Sequence, residues 1–367
     1  MSYQSIDKMQ NLLSQTVFSH TDSPKKAAGR ALGTMVEIIG FYLIKAWGHE
    51  YEIAIERPLP EYANQDITHN VEFTFHRSKL LGKFETPKSP TITSTQIFNN
   101  ANLPEEFQRC ATTRYLIRDA AIKNSCTIAY SDTSFCNAYF SADKKSILLY
   151  ELSSTPFAMF ECKRVGIEEG NKKGPQTIEK AKQGSYVARM VSAIQRVRMS
   201  DGKIAGVVER HGKLECFDDY DVLIEKAILG HDVKKLANFI LTIGIVSNHG
   251  NWFTSSDQNK ELKVLAQSYD WLLFLSDNGL ASFIHKIIND DNTFQAVKVA
   301  FEKSYEKDKK TNRFTKTIMD SKADDVLTKY FLDNLTEIES WFNVIAPKNK
   351  NIKTLNSMLI ELSRLEA

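Results

Sequence analysis

The run LANFILTIGIVSN, residues 236–248, constrains this chain more than any other stretch. It is apolar with no polar alternation, the pattern of a strand buried on both faces, as in a sheet covered by helices on either side. Its surroundings supply the helices. Residues 24–47 read as a long helix with Asp22 or Ser23 as N-cap, Pro24 as first helical residue and Gly48 as its end. VEFTFH (71–76) alternates like a strand, and residues 104–124 read as a helix opened by Pro104, Glu105 and Glu106.

From 127 to 165 the pattern becomes strand-like. TIAYSDTSFCNAYF, SILLYEL and FAMFECKRV are separated by turns at 141–144 and 153–156, which predicts a three-stranded meander of two hairpins. A polar loop (166–174) leads to a helix opened by Pro175 that extends to about Met199. Then come a strand IAGVVER, a helix DYDVLIEKAIL capped by Gly230, a helix near 257–268, a strand at 271–277 and a helix from Gly279. From about 291 the chain reads as helical and rich in lysine. The expectation is an α/β fold: a mixed central β-sheet with an antiparallel meander flanked by helices, plus a helical C-terminal part. The domains expected are 1–290 and a helical subdomain at 291–367.

Composition removes several classes. With 367 residues, 42% apolar and 25% charged, the chain has the make-up of a globular protein rather than a disordered one. The start lacks the basic and apolar regions of a signal peptide, and the longest apolar run, Val36 to Trp47, falls short of the ~20 residues of a membrane span. A soluble cytoplasmic protein without a membrane partner is expected. Five dispersed cysteines with no C-x-x-C pair argue against a disulfide framework and a cysteine zinc site. Net charge is only +2, but residues 164–198 carry eight Lys/Arg against three acids, a local excess suited to phosphate.

The sharpest chemical feature is Glu161-Cys162-Lys163. Side chains two apart on a strand share a face, so Glu161 and Lys163 point together. A carboxylate that binds Mg²⁺ beside an amine that orients water or stabilises transition-state charge is the apparatus of phosphodiester hydrolysis. [DE]-x-K occurs seven times in the chain, so the tripeptide alone carries nothing; only the copy at Glu161 lies in an expected core strand that feeds a basic helix. A second acid is required. A hairpin centred on Pro156 puts Glu151 across from Glu161, whereas Asp132 heads the meander from upstream. The sequence leaves both open.

PFAMFECKRVG (156–166) and GPQTIEKAKQGSYVAR (174–189) together resemble the PD-(D/E)XK nuclease superfamily, and within it the type II restriction endonucleases. The resemblance spans roughly residues 127–250. It implies a strand hairpin bearing an upstream acid and the E-x-K pair, a helix after it, and a buried strand parallel to the E-x-K strand, the place LANFILTIGIVSN fits. It also implies a glutamate from an N-terminal helix near the metal, for which Glu37 is the match. No Pro-Asp dipeptide precedes the motif, so Asp132 and Glu151 are carried over as candidates. Gln183 and Tyr186 resemble a glutamine–tyrosine pair of nuclease branches at a spacing one residue short.

Lys180, Lys182 and Arg189 suit backbone contacts, and His249 and Asn251 in SNHGNWF suit base edges. No P-loop, dinucleotide fingerprint or HExxH is present. The expected function is a Mg²⁺-dependent, sequence-specific endonuclease on double-stranded DNA, acting as a homodimer. The alternatives are a defence or repair nuclease of broad specificity and a non-catalytic nucleic-acid-binding protein.

Overall fold

The structure is a computed structural model that describes residues 6–365 except 58–70, 165–181, 183, 184, 187–191, 211, 218, 237, 248–252, 255, 256, 259, 291 and 306–311. It is an α/β protein built on a mixed nine-stranded sheet with helices that include the C-terminal ones. The chain opens with α1 (Ile6–Thr16) and α2 (Pro24–Ala46), then β1 (Ile53–Arg57) and the long β2 (Val71–Glu85). Between β2 and the next core strand come β3 (Thr91–Thr93), α3 (Ser94–Asn100), β4 (Gln108–Arg109), β5 (Tyr115–Arg118), β6 (Ala121–Lys123), β7 (Cys126–Tyr130) and β8 (Ser134–Phe140). Strand β9 (Ser146–Arg164) follows and organises the whole sheet.

β9 runs for 19 residues, roughly 60 Å at strand rise. One of its edges pairs antiparallel with β2 from Ser146 to Phe160. Its other edge is shared: β8 pairs antiparallel with residues 147–153, and β13 (Leu241–Ser247) pairs parallel with residues 158–164. The expected turn at 153–156 is therefore absent. Pro156 lies in the gap where β8 has ended and β13 has not begun, and at a register shift opposite His76. A residue without an N–H is tolerated inside a long strand at such a place. The buried His76 imidazole bonds the Ser153 carbonyl and the Thr74 hydroxyl, both at 2.7 Å, across this junction. The expected first strand of the meander is itself a hairpin, β7–β8.

One expected helix is replaced by strands, and another ends in one. Residues 104–124 hold β4, β5 and β6; Asp119 and Ala120 both take positive φ (51° and 64°) and close a two-residue β5–β6 turn. The expected helix ending near Met199 gives way to β10 (Ile194–Arg198), which hairpins through Asp201-Gly202 to β11 (Ile204–Arg210) and on to β12 (Lys213–Phe217). Helix Tyr220–Leu229 packs on this small sheet.

After β13 come the short pair β14 (Phe253–Thr254) and β15 (Asp257–Gln258), helix Lys260–Ser268, β16 (Trp271–Leu275) and helix Asp277–Asn289. The segment from 291 is not purely helical: β17 (Ile318–Asp320) joins β6, and β18 (Phe342–Ala346) joins β16 in the central sheet. Helix Ser321–Asp333 packs on α2, and one continuous apolar cluster extends from Ile6 to Leu365.

α2 has the length and hydropathy of a membrane-crossing helix, yet 67% of its most apolar window is buried within the protein. It lies directly on β9. A Cβ on Gly40 would come within 3.0 Å of the Cys162 Sγ, so glycine here sets how closely helix and strand approach.

Candidate functional site

The β2–β9 ladder ends at the pair Phe73–Phe160, and the next residues on each strand are Glu72 and Glu161. Both side chains are buried, at 3% and 1% exposure. Each carboxylate takes a backbone amide of the opposite strand: the Glu72 N–H donates to Glu161 Oε2 at 3.3 Å, and the Cys162 N–H donates to Glu72 Oε2. The two glutamates thus occupy the place of the next ladder bonds and are held face to face across the break. On β9 the alternation that buries Phe160 and Cys162 towards α2 turns Glu161 and Lys163 to the other face. Lys163 Nζ sits 2.6 Å from Glu161 Oε1 and is one-third exposed, so the pair opens to solvent on its lysine side.

A second lysine closes the other side. Lys316, buried, reaches Glu72 at 2.5 Å, Glu37 of α2 at 3.0 Å and Glu56 of β1 at 3.3 Å. Among the described residues, the cluster joins four carboxylates and two ammonium groups. Burial, and then the charge of Glu37, push the Glu72 carboxyl up to about 8; Lys316 pulls it down and Glu161 adds to the rise. Burial works against charge on Lys163, but Glu161 and Glu72 outweigh it and hold the amine above its usual range. Lys316 is raised likewise, by Glu72 and Glu37 against burial. Burial, with Glu72 next, drives the Cys162 thiol well up, which makes it a packing group rather than a nucleophile.

β13 completes the floor. Gly244 is in register with Glu161, and a Cβ there would lie 2.8 Å from the Tyr269 ring. The buried Tyr269 phenol is raised by its burial and by Glu161.

Of the residues expected from sequence, Glu161, Lys163 and Glu37 come together here. Glu151 and Asp132 do not. With no turn at Pro156, Glu151 is ten residues back on the same strand, roughly 30 Å away, where the Ser134 hydroxyl donates to it at 2.7 Å. Asp132 is exposed in the β7–β8 turn, next to the backbone of Ser154. Lys182 is half-buried in a helical stretch with Ser185 and the exposed Tyr186. Lys180, Gln183, Arg189, His249 and Asn251 lie outside the described residues.

Glu72 and Lys316 were missed by sequence reasoning. Glu72 carried a usable signal: it stands in VEFTFH as Glu161 stands in FAMFECK, an acid inside an apolar strand. Lys316 carried none.

Among the described residues, no three carboxylate, imidazole or thiol groups form a ready metal cage. Mg²⁺ does not require one, since it keeps several waters and is held by one or two carboxylates plus substrate phosphate. The hard oxygens of Glu72 and Glu161, brought together and with Glu161 raising the Glu72 carboxyl, fit that demand. Searches of protein-family models, curated proteins and solved structures found no match to this chain.

Proposed function

We propose that this protein is a Mg²⁺-dependent endonuclease that hydrolyses phosphodiester bonds of double-stranded DNA, in the manner of type II restriction enzymes. One observation carries the reading: two buried carboxylates, Glu72 and Glu161, face each other at a break in the sheet with the Lys163 ammonium against one of them. The pairing of β13 with β9 supports it, because a buried strand parallel to the E-x-K strand is what the resemblance implies.

Glu72 and Glu161 would hold the ion, which supplies positive charge at the phosphate and a more acidic water. Lys163 stays protonated beside Glu161 and offers its charge to the oxygens that become more negative as the phosphorus is attacked. Glu161 has a second task, since its 2.6 Å contact fixes where that ammonium stands. Lys316 keeps Glu37 and Glu72 together from behind, and Tyr269 over Gly244 limits water at the floor. A homodimer with two such sites is the simplest way to cut both strands of a duplex.

The three carboxylate contacts of Lys316 favour one other reading, a structural ion network in a non-catalytic nucleic-acid-binding protein. Plasmid cleavage separates the two. Cutting in Mg²⁺ that stops in EDTA and in Glu161→Ala supports the nuclease; no cutting by the folded protein in Mg²⁺ or Mn²⁺ refutes it. A discrete fragment pattern supports sequence specificity, and a smear supports a broad nuclease.

A further inference from the structure

A second chemical feature lies on the small sheet β17–β6–β5–β3. A cavity of about 260 Å³ opens there between the β5–β6 hairpin and the approach to β17. Arg114, Arg118, Lys123 and Arg313 line it, with Thr113 and Tyr115, and no acid is among its lining residues. The Arg118 guanidinium lies 4.4 Å from the Tyr115 ring centroid, which pre-orients its fork. Arg313 is anchored from outside, donating to the Asp119 carbonyl at 2.8 Å with the Asp119 carboxylate 3.9 Å away. Lys123 loses its proton more readily than usual, through burial first; Arg114 pushes the same way, while Cys126 and Glu56 oppose. Four cations around a cavity with no carboxylate among its described lining residues form a site for an anion, even with Asp119 at Arg313's outer side.

Its location narrows the anion. β6 pairs with β17, and Asn124 holds the turn before β17 by donating its side-chain amide to the Lys316 carbonyl (2.7 Å) and its N–H to the Thr317 carbonyl (2.9 Å). Lys316, whose ammonium bridges Glu37 and Glu72, is two residues from Ile318 in the cavity wall, within ~7 Å along the chain. Arg313 also lines a larger cleft of about 930 Å³ with Lys303, Lys322 and one acid, Asp320, so cationic groups continue beyond the cavity.

We propose that the Arg114–Arg118–Lys123–Arg313 cavity seats a backbone phosphate of the nucleic acid. The inference rests on the nuclease reading for its ligand. Contacts of this kind fix where the duplex lies without reading its sequence. Arginine forks meet phosphate oxygens in pairs, which gives orientation as well as charge.

The test is binding of a labelled DNA duplex to the full chain in EDTA, followed by fluorescence anisotropy across a salt series. Arg114→Gln with Arg118→Gln should weaken binding about 10-fold or more near 0.1 M salt and lower the log–log salt slope by about 2. Arg114→Lys with Arg118→Lys should keep the slope and lose only part of the affinity. An unchanged slope in the glutamine pair overturns the proposal. Inorganic phosphate that saturates the wild type while duplex affinity ignores both arginines overturns it too, because the cavity then serves a free anion. Arginine-dependent duplex binding without cleavage in Mg²⁺ would sink the nuclease reading and leave the cavity's assignment standing.

Discussion

Strand β9 carries two glutamates in opposite circumstances. Around Glu151 the ladder is complete on both edges, with Lys79 of β2 and Cys136 of β8 in register, and the half-buried carboxylate accepts from a neutral serine. Around Glu161 the β2 edge has come apart, the carboxylate is fully buried, and its neighbours are a backbone amide, a second carboxylate and an ammonium group. The residue type and the strand are the same. What differs is whether backbone bonds close the sheet, because a break leaves amides that a carboxylate can accept from even when it is buried. Burying two carboxylates this close is costly, which raises the Glu72 carboxyl and makes the pair a candidate for a bound cation.

The largest effect expected from this contrast is on cleavage. Glu161→Ala should lower the metal-dependent rate about 10³-fold or more, on the order of 4 kcal/mol of barrier, while Glu151→Ala stays within a few-fold of wild type. Equal losses in the two variants, measured on plasmid DNA, would erase the distinction. Lys163→Met should cost roughly 10²-fold with the metal still bound, detectable as a retained shift in thermal melting on adding Mg²⁺.

The next effect is on stability. Gly244→Ala would press a methyl group onto the Tyr269 ring and should destabilise the fold by about 1–3 kcal/mol, read from urea unfolding. The pH dependence sharpens the comparison further. Glu72 titrates near 8 when folded against an ordinary 4.5, so the folded state holds the extra proton between those values. Its contribution in metal-free protein is therefore full below about 4.5 and lost as pH rises through about 8. Glu72→Gln should flatten that decline. Apparent Mg²⁺ affinity should rise across the same window, because the proton must leave first. The smallest effect belongs to Glu151→Ala, which gives up one serine hydrogen bond, about 1 kcal/mol or less.

The sequence made parts of this arrangement legible. Unbroken apolarity located β13, the helix signals at Pro24 and Gly48 located α2, and alternation put Glu161 and Lys163 on one face. The failures have a common physical origin in long-range pairing. Pro156 reads locally as a turn, and only the changeover from β8 to β13 shows why it is not. That error put Glu151 across from Glu161 and made it a candidate beside Asp132. The actual partner, Glu72, lies 89 residues upstream across an inserted segment, and no local periodicity carries register over that distance. Residues 104–124 read as helical because paired hairpin strands there are short, and turn geometry outweighs their intrinsic preference.

Lys316 lies 244 residues from Glu72 and 279 from Glu37, so the centre's charge balance depends on the end of the chain. Closing a loop of that length costs on the order of 5 kcal/mol of chain entropy. During synthesis the strands bearing Glu72 and Glu161 emerge from the ribosome well before the lysine that pairs with Glu72. A nascent chain can pair β2 with β9 early, but it must keep those carboxyls wet or protonated until β17 docks on β6. Assembly of the centre is thus a late step in the biogenesis of the molecule, and a chain that stops short of residue 316 would bury Glu72 without its ammonium partner.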